Sequence, residues 1–178
     1  MHLHYSLDKN DYLQYFLYDA AHNKDLVRKK RKTYIYLAIL PIIIGVNIYN
    51  TTEGWYYVIL FIFVLCLFAF TFKPSDKLHY KNFIDKNYQE RINLESDLYF
   101  EENMLMIKNR IAESKIYYES LEQINETADY FFLKLKTSES IIIPKVKISN
   151  ETELKRLLQQ LKNQYRLKDH IDLTWTTK

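Results

Sequence analysis

From Thr33 to Phe72 apolar residues run almost without a break. Thr33–Tyr49 forms one stretch and Trp55–Phe72 a second, separated by Asn50-Thr51-Thr52-Glu53-Gly54. Neither stretch contains Asp, Glu, Lys or Arg, and at 17 and 18 residues they reach the lower end of the roughly 17–25 that cross a bilayer core. The pattern predicts a transmembrane helical hairpin over 33–72, with spans 33–49 and 55–72. Val, Leu, Ile and Phe dominate it, each favouring insertion by about 0.3–0.6 kcal/mol at a bilayer centre. Pro41 predicts a kink in the first span and Asn47 an intramembrane polar position. Tyr34, Tyr36 and Tyr49, with Trp55, Tyr56 and Tyr57, fall where an interfacial aromatic belt lies.

On either side the pattern changes. Leu13, Phe16, Leu17, Ala20 and Val27 recur at helical spacing, so Ser6–Lys32 reads as one helix with Asp8 as N-cap. It ends in the basic run Arg28-Lys29-Lys30-Arg31-Lys32, suited to a membrane interface. Residues 1–32 are therefore an amphipathic, basic cytosolic segment, lying on the inner leaflet or packed on the C-terminal domain. After the hairpin, Pro74-Ser75-Asp76 starts a helix to about Tyr88. The period then becomes two: Ile92, Leu94, Leu98 and Phe100, then Met104–Lys108 and Ser114–Tyr118, joined by short turns, predict an antiparallel meander. Ser120–Ile124 reads as a single helical turn. Asp129–Lys136 is the clearest strand: Phe131, Leu133 and Leu135 face one way, Tyr130, Phe132, Lys134 and Lys136 the other. Ser140–Pro144 is its neighbour. A helix over about 150–166 carries Leu154, Leu157, Leu158 and Leu161 on one stripe, with Asn150 and Glu153 as a capping box. Alternating Ile171, Leu173 and Trp175 predict an edge strand in the tail.

Charge orients the hairpin and narrows the partners. The loop 50–54 has no basic residue, whereas basic residues flank both outer ends of the hairpin; the positive-inside rule places both termini of a multi-pass membrane protein in the cytoplasm. Residues 1–32 carry seven Lys/Arg against four Asp/Glu, and 73–178 eighteen against seventeen. So balanced a C-terminal domain argues against nucleic acid. Cys66 is the one cysteine, which excludes a disulfide framework and a thiolate metal site. Gly45 and Gly54 are the two glycines, so 73–178 holds no phosphate-cradling loop. The His2-x-His4 pair reads as a flexible terminus, because a metal site needs further ligands. No acid–base or nucleophile constellation assembles, so neither an enzyme nor a cofactor is expected. Lys134, Lys136, Lys145 and Lys147 form a candidate strip for anionic lipid, and Tyr130 and Phe132 a candidate exposed partner surface.

The string Tyr118…Ile124-Asn125-Glu126-Thr127…Asp129-Tyr130-Phe131-Phe132-Leu133…Ile141-Ile142-Ile143-Pro144-Lys145 resembles the YcxB-like bacterial membrane proteins, as do Tyr5-Ser6-Leu7 and Asp11-Tyr12-Leu13. The resemblance implies an α+β membrane protein whose C-terminal domain, 73–178, is an antiparallel pleckstrin-homology-like sheet or barrel capped by an α-helix. It implies no catalytic residues. The expectation is a non-enzymatic inner-membrane protein presenting a cytosolic module to membrane lipids or a protein partner, with homo-oligomers through paired hairpins. The alternative is an immunity protein that neutralises a membrane-acting or membrane-crossing toxin.

Overall fold

The computed structural model describes residues 1–23 and 76–175, with positions 28, 32, 33, 35, 36, 39, 59, 61–63 and 66 between them. Two compact units result: Met1–Phe16 with Tyr80–Lys178, and Leu17–His79. In order, the described elements are β1 (His2–Ser6), α1 (Lys9–His22), α2 (Asp76–Asn87), β2 (Glu95–Phe100), β3 (Met104–Asn109), β4 (Glu113–Tyr117), β5 (Leu121–Thr127), β6 (Tyr130–Leu135), β7 (Ser140–Pro144), α3 (Glu151–Tyr165) and β8 (Lys168–Asp172).

The strands form two four-stranded sheets, β1-β2-β3-β4 and β7-β6-β5-β8. The first is antiparallel throughout, with Leu3 opposite Leu98 and Leu105 opposite Ile116. The second is mixed, because β8 runs parallel to β5. Alternation puts Leu3, Tyr5, Leu98, Phe100 and Leu105 on the inner face of the first sheet. They pack against Phe131, Leu133, Ile141 and Ile143 of the second and against Leu154, Leu158 and Leu161 of α3. The other face of the second sheet is also covered: Tyr15 of α1 lies 5.6 Å from the Phe132 ring, and Phe132 is fully buried. Tyr12 and Phe16 of α1 meet Tyr88, and Phe83 of α2 packs against both Phe16 and Tyr88.

Several expectations are corrected. Among the described residues no helix is long and apolar enough to cross a membrane. A crossing takes about 20 apolar residues, whereas α1, α2 and α3 have 14, 12 and 15 and carry charges along their lengths. The transmembrane hairpin, the α+β membrane fold and the multi-pass inner-membrane location with cytoplasmic termini therefore find no spanning helix among the described residues. Most of the predicted spans, including Pro41 and Asn47, lie outside the described residues, as do Lys29, Lys30 and Arg31; Arg28 and Lys32 are helical and exposed. In place of a single bent antiparallel sheet there are two sheets, one mixed. The N-terminus is not a flexible lead to one long helix: His2–Ser6 is a strand of the first sheet. Ser120–Ile124 is not a helical turn; a 3-10 turn at Tyr118–Ser120 leads straight into β5. Asn150 makes no side-chain cap to α3.

One ammonium group ties the N-terminal residues to the sheets. Asp8 caps α1, its Oδ1 accepting from the Asn10 and Asp11 amides at 2.7 and 3.0 Å, while Asp11 Oδ2 accepts from the Asp8 amide at 2.8 Å. Lys147 Nζ then donates to Asp11 Oδ2 at 2.6 Å, Asp8 Oδ2 at 2.9 Å and the Ser6 carbonyl at 3.2 Å. The Tyr130 hydroxyl donates to Asp11 Oδ1 at 2.9 Å, so a carboxylate with 3% of its residue surface exposed is fully bonded. Burial opposes ionisation of both Asp8 and Lys147, but their mutual hydrogen bonds and Asp11 outweigh it. Asp8 lies below its ordinary 3.8 and Lys147 above 10.5.

Glycine is absent from 73–178, so residues with a Cβ take the left-handed positions: Asn93 at φ 58°, Ser138 at 73° and Arg166 at 54°. Arg166 ends α3 there, and the next amide, of Leu167, returns to the Lys162 carbonyl at 3.1 Å.

Replacing Lys147 with Met leaves Asp11 buried beside no cation, and urea unfolding should show a loss of about 2–4 kcal/mol, reduced from the fully buried case by the partial exposure of the ammonium. Lys134→Met, on β6, should stay within about 0.5 kcal/mol. Arg166→Gly and Ser138→Gly should each raise stability by about 0.5–1 kcal/mol in the same assay, because glycine meets no Cβ penalty at positive φ.

Candidate functional site

Residues of both sheets line one cleft together. Ile107 and Ile116 are partly buried there, and the cleft has a volume of about 500 Å³. One wall comes from the inner face of β3 and β4 and the turn between them, through Ile107, Ile111, Ser114 and Ile116. The opposite wall is the end of β6, the turn at Ser138–Glu139 and Ile141 and Ile142 of β7. Tyr5, Tyr12, Tyr15 and Phe16 supply an aromatic end, completed by Tyr88 and Arg91 from the segment after α2.

That end has a defined electrostatic character. Burial holds the Tyr5 hydroxyl well above its ordinary 10.0, with the neighbouring Tyr12 and Asp11 adding to the effect. Burial also raises Tyr12, against the pull of the nearby Arg91. Both phenols therefore remain neutral. The Arg91 guanidinium lies 5.7 Å from the centroid of the Tyr88 ring and is exposed at the mouth.

The residues proposed from sequence are dispersed. Tyr130 and Phe132, expected on the surface, are buried beneath α1; Tyr130 is spent on Asp11, and burial followed by Asp11 pushes its hydroxyl up. Lys145 is nearly buried, 2.9 Å from Glu126 Oε1 and 2.7 Å from the Thr127 carbonyl, with its ammonium 4.6 Å from the centre of the Phe131 ring. Lys155 of α3 bonds the same Glu126 oxygen at 2.7 Å, so this cluster fastens the helix to β5. Burial disfavours the charged Glu126, yet the two lysines hold its carboxyl below 4.5. Lys147 belongs to the α1 lock. Lys134 is half-buried and Lys136 exposed. None of the six lines the cleft. Tyr118 is buried with its hydroxyl on the Glu101 carbonyl at 2.7 Å and pushed up to about 12, mainly by burial.

Residues 100–161 match the family model of YcxB-like proteins. This part of the chain is YcxB-like. No curated protein matches the chain. The YcxB-like segment runs from the end of β2 into α3, and so builds both sheet walls of the cleft. The aromatic end, from Tyr5 to Phe16 and at Tyr88 and Arg91, is supplied by residues outside the match. Sequence reasoning missed the cleft because its lining comes from five stretches far apart in the chain, 5–7, 12–16, 88–96, 107–116 and 135–142. The available signal was the density of aromatics in the first sixteen residues, which a stripe of helical spacing assigns to helix packing alone.

A second polar cluster lies on the outer face of the first sheet. His2 Nε2 and His4 Nδ1 are 2.8 and 2.9 Å from the same oxygen, Asp97 Oδ1, and His4 stands directly opposite Asp97 in the β1–β2 register. The His2 ring stacks on Tyr99 at 4.4 Å. The hydrogen bond to Asp97 raises His4 above 6.5, and the bonds from His4 and then His2 lower Asp97 below 3.8.

These two shifts give β1 a pH dependence with two limbs. His4 is raised on folding, so its contribution is complete below 6.5 and fades as pH rises through its folded value. Asp97 is lowered, so its contribution is complete above 3.8 and fades as pH falls through its folded value. NMR titration should find the His4 midpoint above 6.5 in the native protein, and Asp97→Asn should bring it down. Amide exchange in β1 should quicken as pH passes above that midpoint, beyond the intrinsic base-catalysed rise measured in a reference peptide.

Proposed function

We propose that this chain is a non-enzymatic interaction module that receives an apolar segment of a protein partner in the cleft between its two sheets. The observation that carries this reading is the cleft's composition. At about 500 Å³ it lies within the ~300–1,000 Å³ typical of binding pockets, which are mostly apolar with a few placed polar groups. Here Ile107, Ile116, Ile141 and the tyrosines supply the apolar surface, and Arg91 and Glu139 the polar groups. The lining contains neither histidine nor cysteine, which supports binding over chemistry.

A benzophenone amino acid in place of Tyr88, in the full chain and in cells, should cross-link one discrete partner on illumination, and the same probe at Lys136 should not. Ile141→Asp should reduce the yield about tenfold or more, as expected when a central apolar contact is lost. An identical pattern from both probe positions would refute the cleft as the binding site.

A further inference from the structure

The first sheet ends in a strand whose outer edge has no neighbour among the described residues. β4 pairs with β3 on one side, and all its residues except Ile116 are exposed. The backbone groups of Glu113–Ile116 have no hydrogen-bond partner outside the β3 ladder among the described residues. Such an edge is a template for another strand unless charge or covering prevents it. Ile111, in the turn before β4, and Tyr117, at its end, are 58% and 60% exposed, large apolar surfaces at both ends of this edge.

We infer that β4 pairs antiparallel with β4 of a second copy of this chain, about a two-fold axis at Ser114, to make one continuous eight-stranded sheet. The sequence of the edge is self-complementary in that register. Ser114 faces Ser114, Glu113 faces Lys115 of the second copy and Lys115 its Glu113. An isologous contact requires such self-complementarity. A register one residue pair further on, about Lys115, sets the two ammonium groups against each other, which disfavours it. Within one chain the Glu113–Lys115 pair is loose, 3.5 Å between exposed groups, so exchanging it for a cross-strand pair sacrifices little. Glu113 also stands opposite Lys108 of β3. The row across the two copies therefore alternates in sign: Lys108, Glu113, then Lys115 of the second copy. Five residues of edge bury less than the ~1,000 Å² of a permanent interface, so the dimer exchanges with monomer.

The test is disulfide trapping in the full chain with Cys66 replaced by Ala. Cβ atoms of directly opposed residues lie about 4.5–5.5 Å apart, close to the about 3.5–4.5 Å a disulfide needs. Ser114→Cys should form a covalent dimer on mild oxidation, and Lys136→Cys should not. In the Ser114→Cys background, Lys115→Glu opposes two like-charged pairs and should lower the trapped fraction about tenfold. Adding Glu113→Lys restores opposite charges and should restore trapping. The inference fails if Ser114→Cys traps no more than Lys136→Cys, or if the double swap does not recover what the single change loses.

Discussion

A carboxylate inside a protein must be answered by a cation or by several donors, and Asp11 is answered by both. Lys147 and the Tyr130 hydroxyl reach it from the second sheet and the turn after it, and the Asp8 amide from its own helix start. Remove that arrangement and α1 loses its polar anchor on the second sheet, while β1 keeps its ladder to β2 and the His2 and His4 bonds to Asp97. With it, α1 is held over Tyr130 and Phe132, and the chain's beginning and its C-terminal half form one unit. The geometry is demanding because a buried ion pair gains little unless every lone pair is used, and here Ser6, Asp8 and Asp11 share one ammonium.

The cleft depends on that lock. Its sheet walls come from the YcxB-like segment, but Tyr5, Tyr12 and Phe16 reach it because α1 and β1 are pinned. A second clamp, Glu126 between Lys145 and Lys155, holds α3 to β5 at the opposite side of the sheet. The basic residues near the end of β7 thus act within the protein. The domain's own carboxylates neutralise Lys145 and Lys147, leaving Arg91 as the cation at the cleft mouth.

Periodicity made much of the element order legible. Phe131, Leu133 and Leu135 alternate as a strand must, and Leu154, Leu158 and Leu161 recur as a helix must; both sets lie in the core. Asp8 announced the start of α1, and its capping hydrogen bonds are there. Periodicity failed where a strand is covered on both faces. Alternation marks Tyr130 and Phe132 as outward, and they are outward from the main core, but another helix lies over them. It failed also at β1, five residues whose alternation is too short to compete with the helical stripe beyond it. The long apolar stretch dominated any reading of the chain as a whole, yet no described helix meets the length and apolarity of a span.

By itself the sequence determined which segments alternate and which wind, since backbone periodicity is a local property of side-chain order. It also determined that the sheet domain must build its turns without glycine, which places Asn93, Ser138 and Arg166 at positive φ. Tertiary structure decided the partners. Whether Lys147 meets solvent, lipid or Asp11 turns on a contact between residues 136 positions apart. His2 and His4 meet Asp97 across 95 and 93. The cleft, too, is lined by residues of both sheets and of α1, brought together from distant parts of the chain. Such contacts carry no local periodic signal, because the energy that selects them comes from burial and charge neutralisation, which appear once the chain has closed on itself.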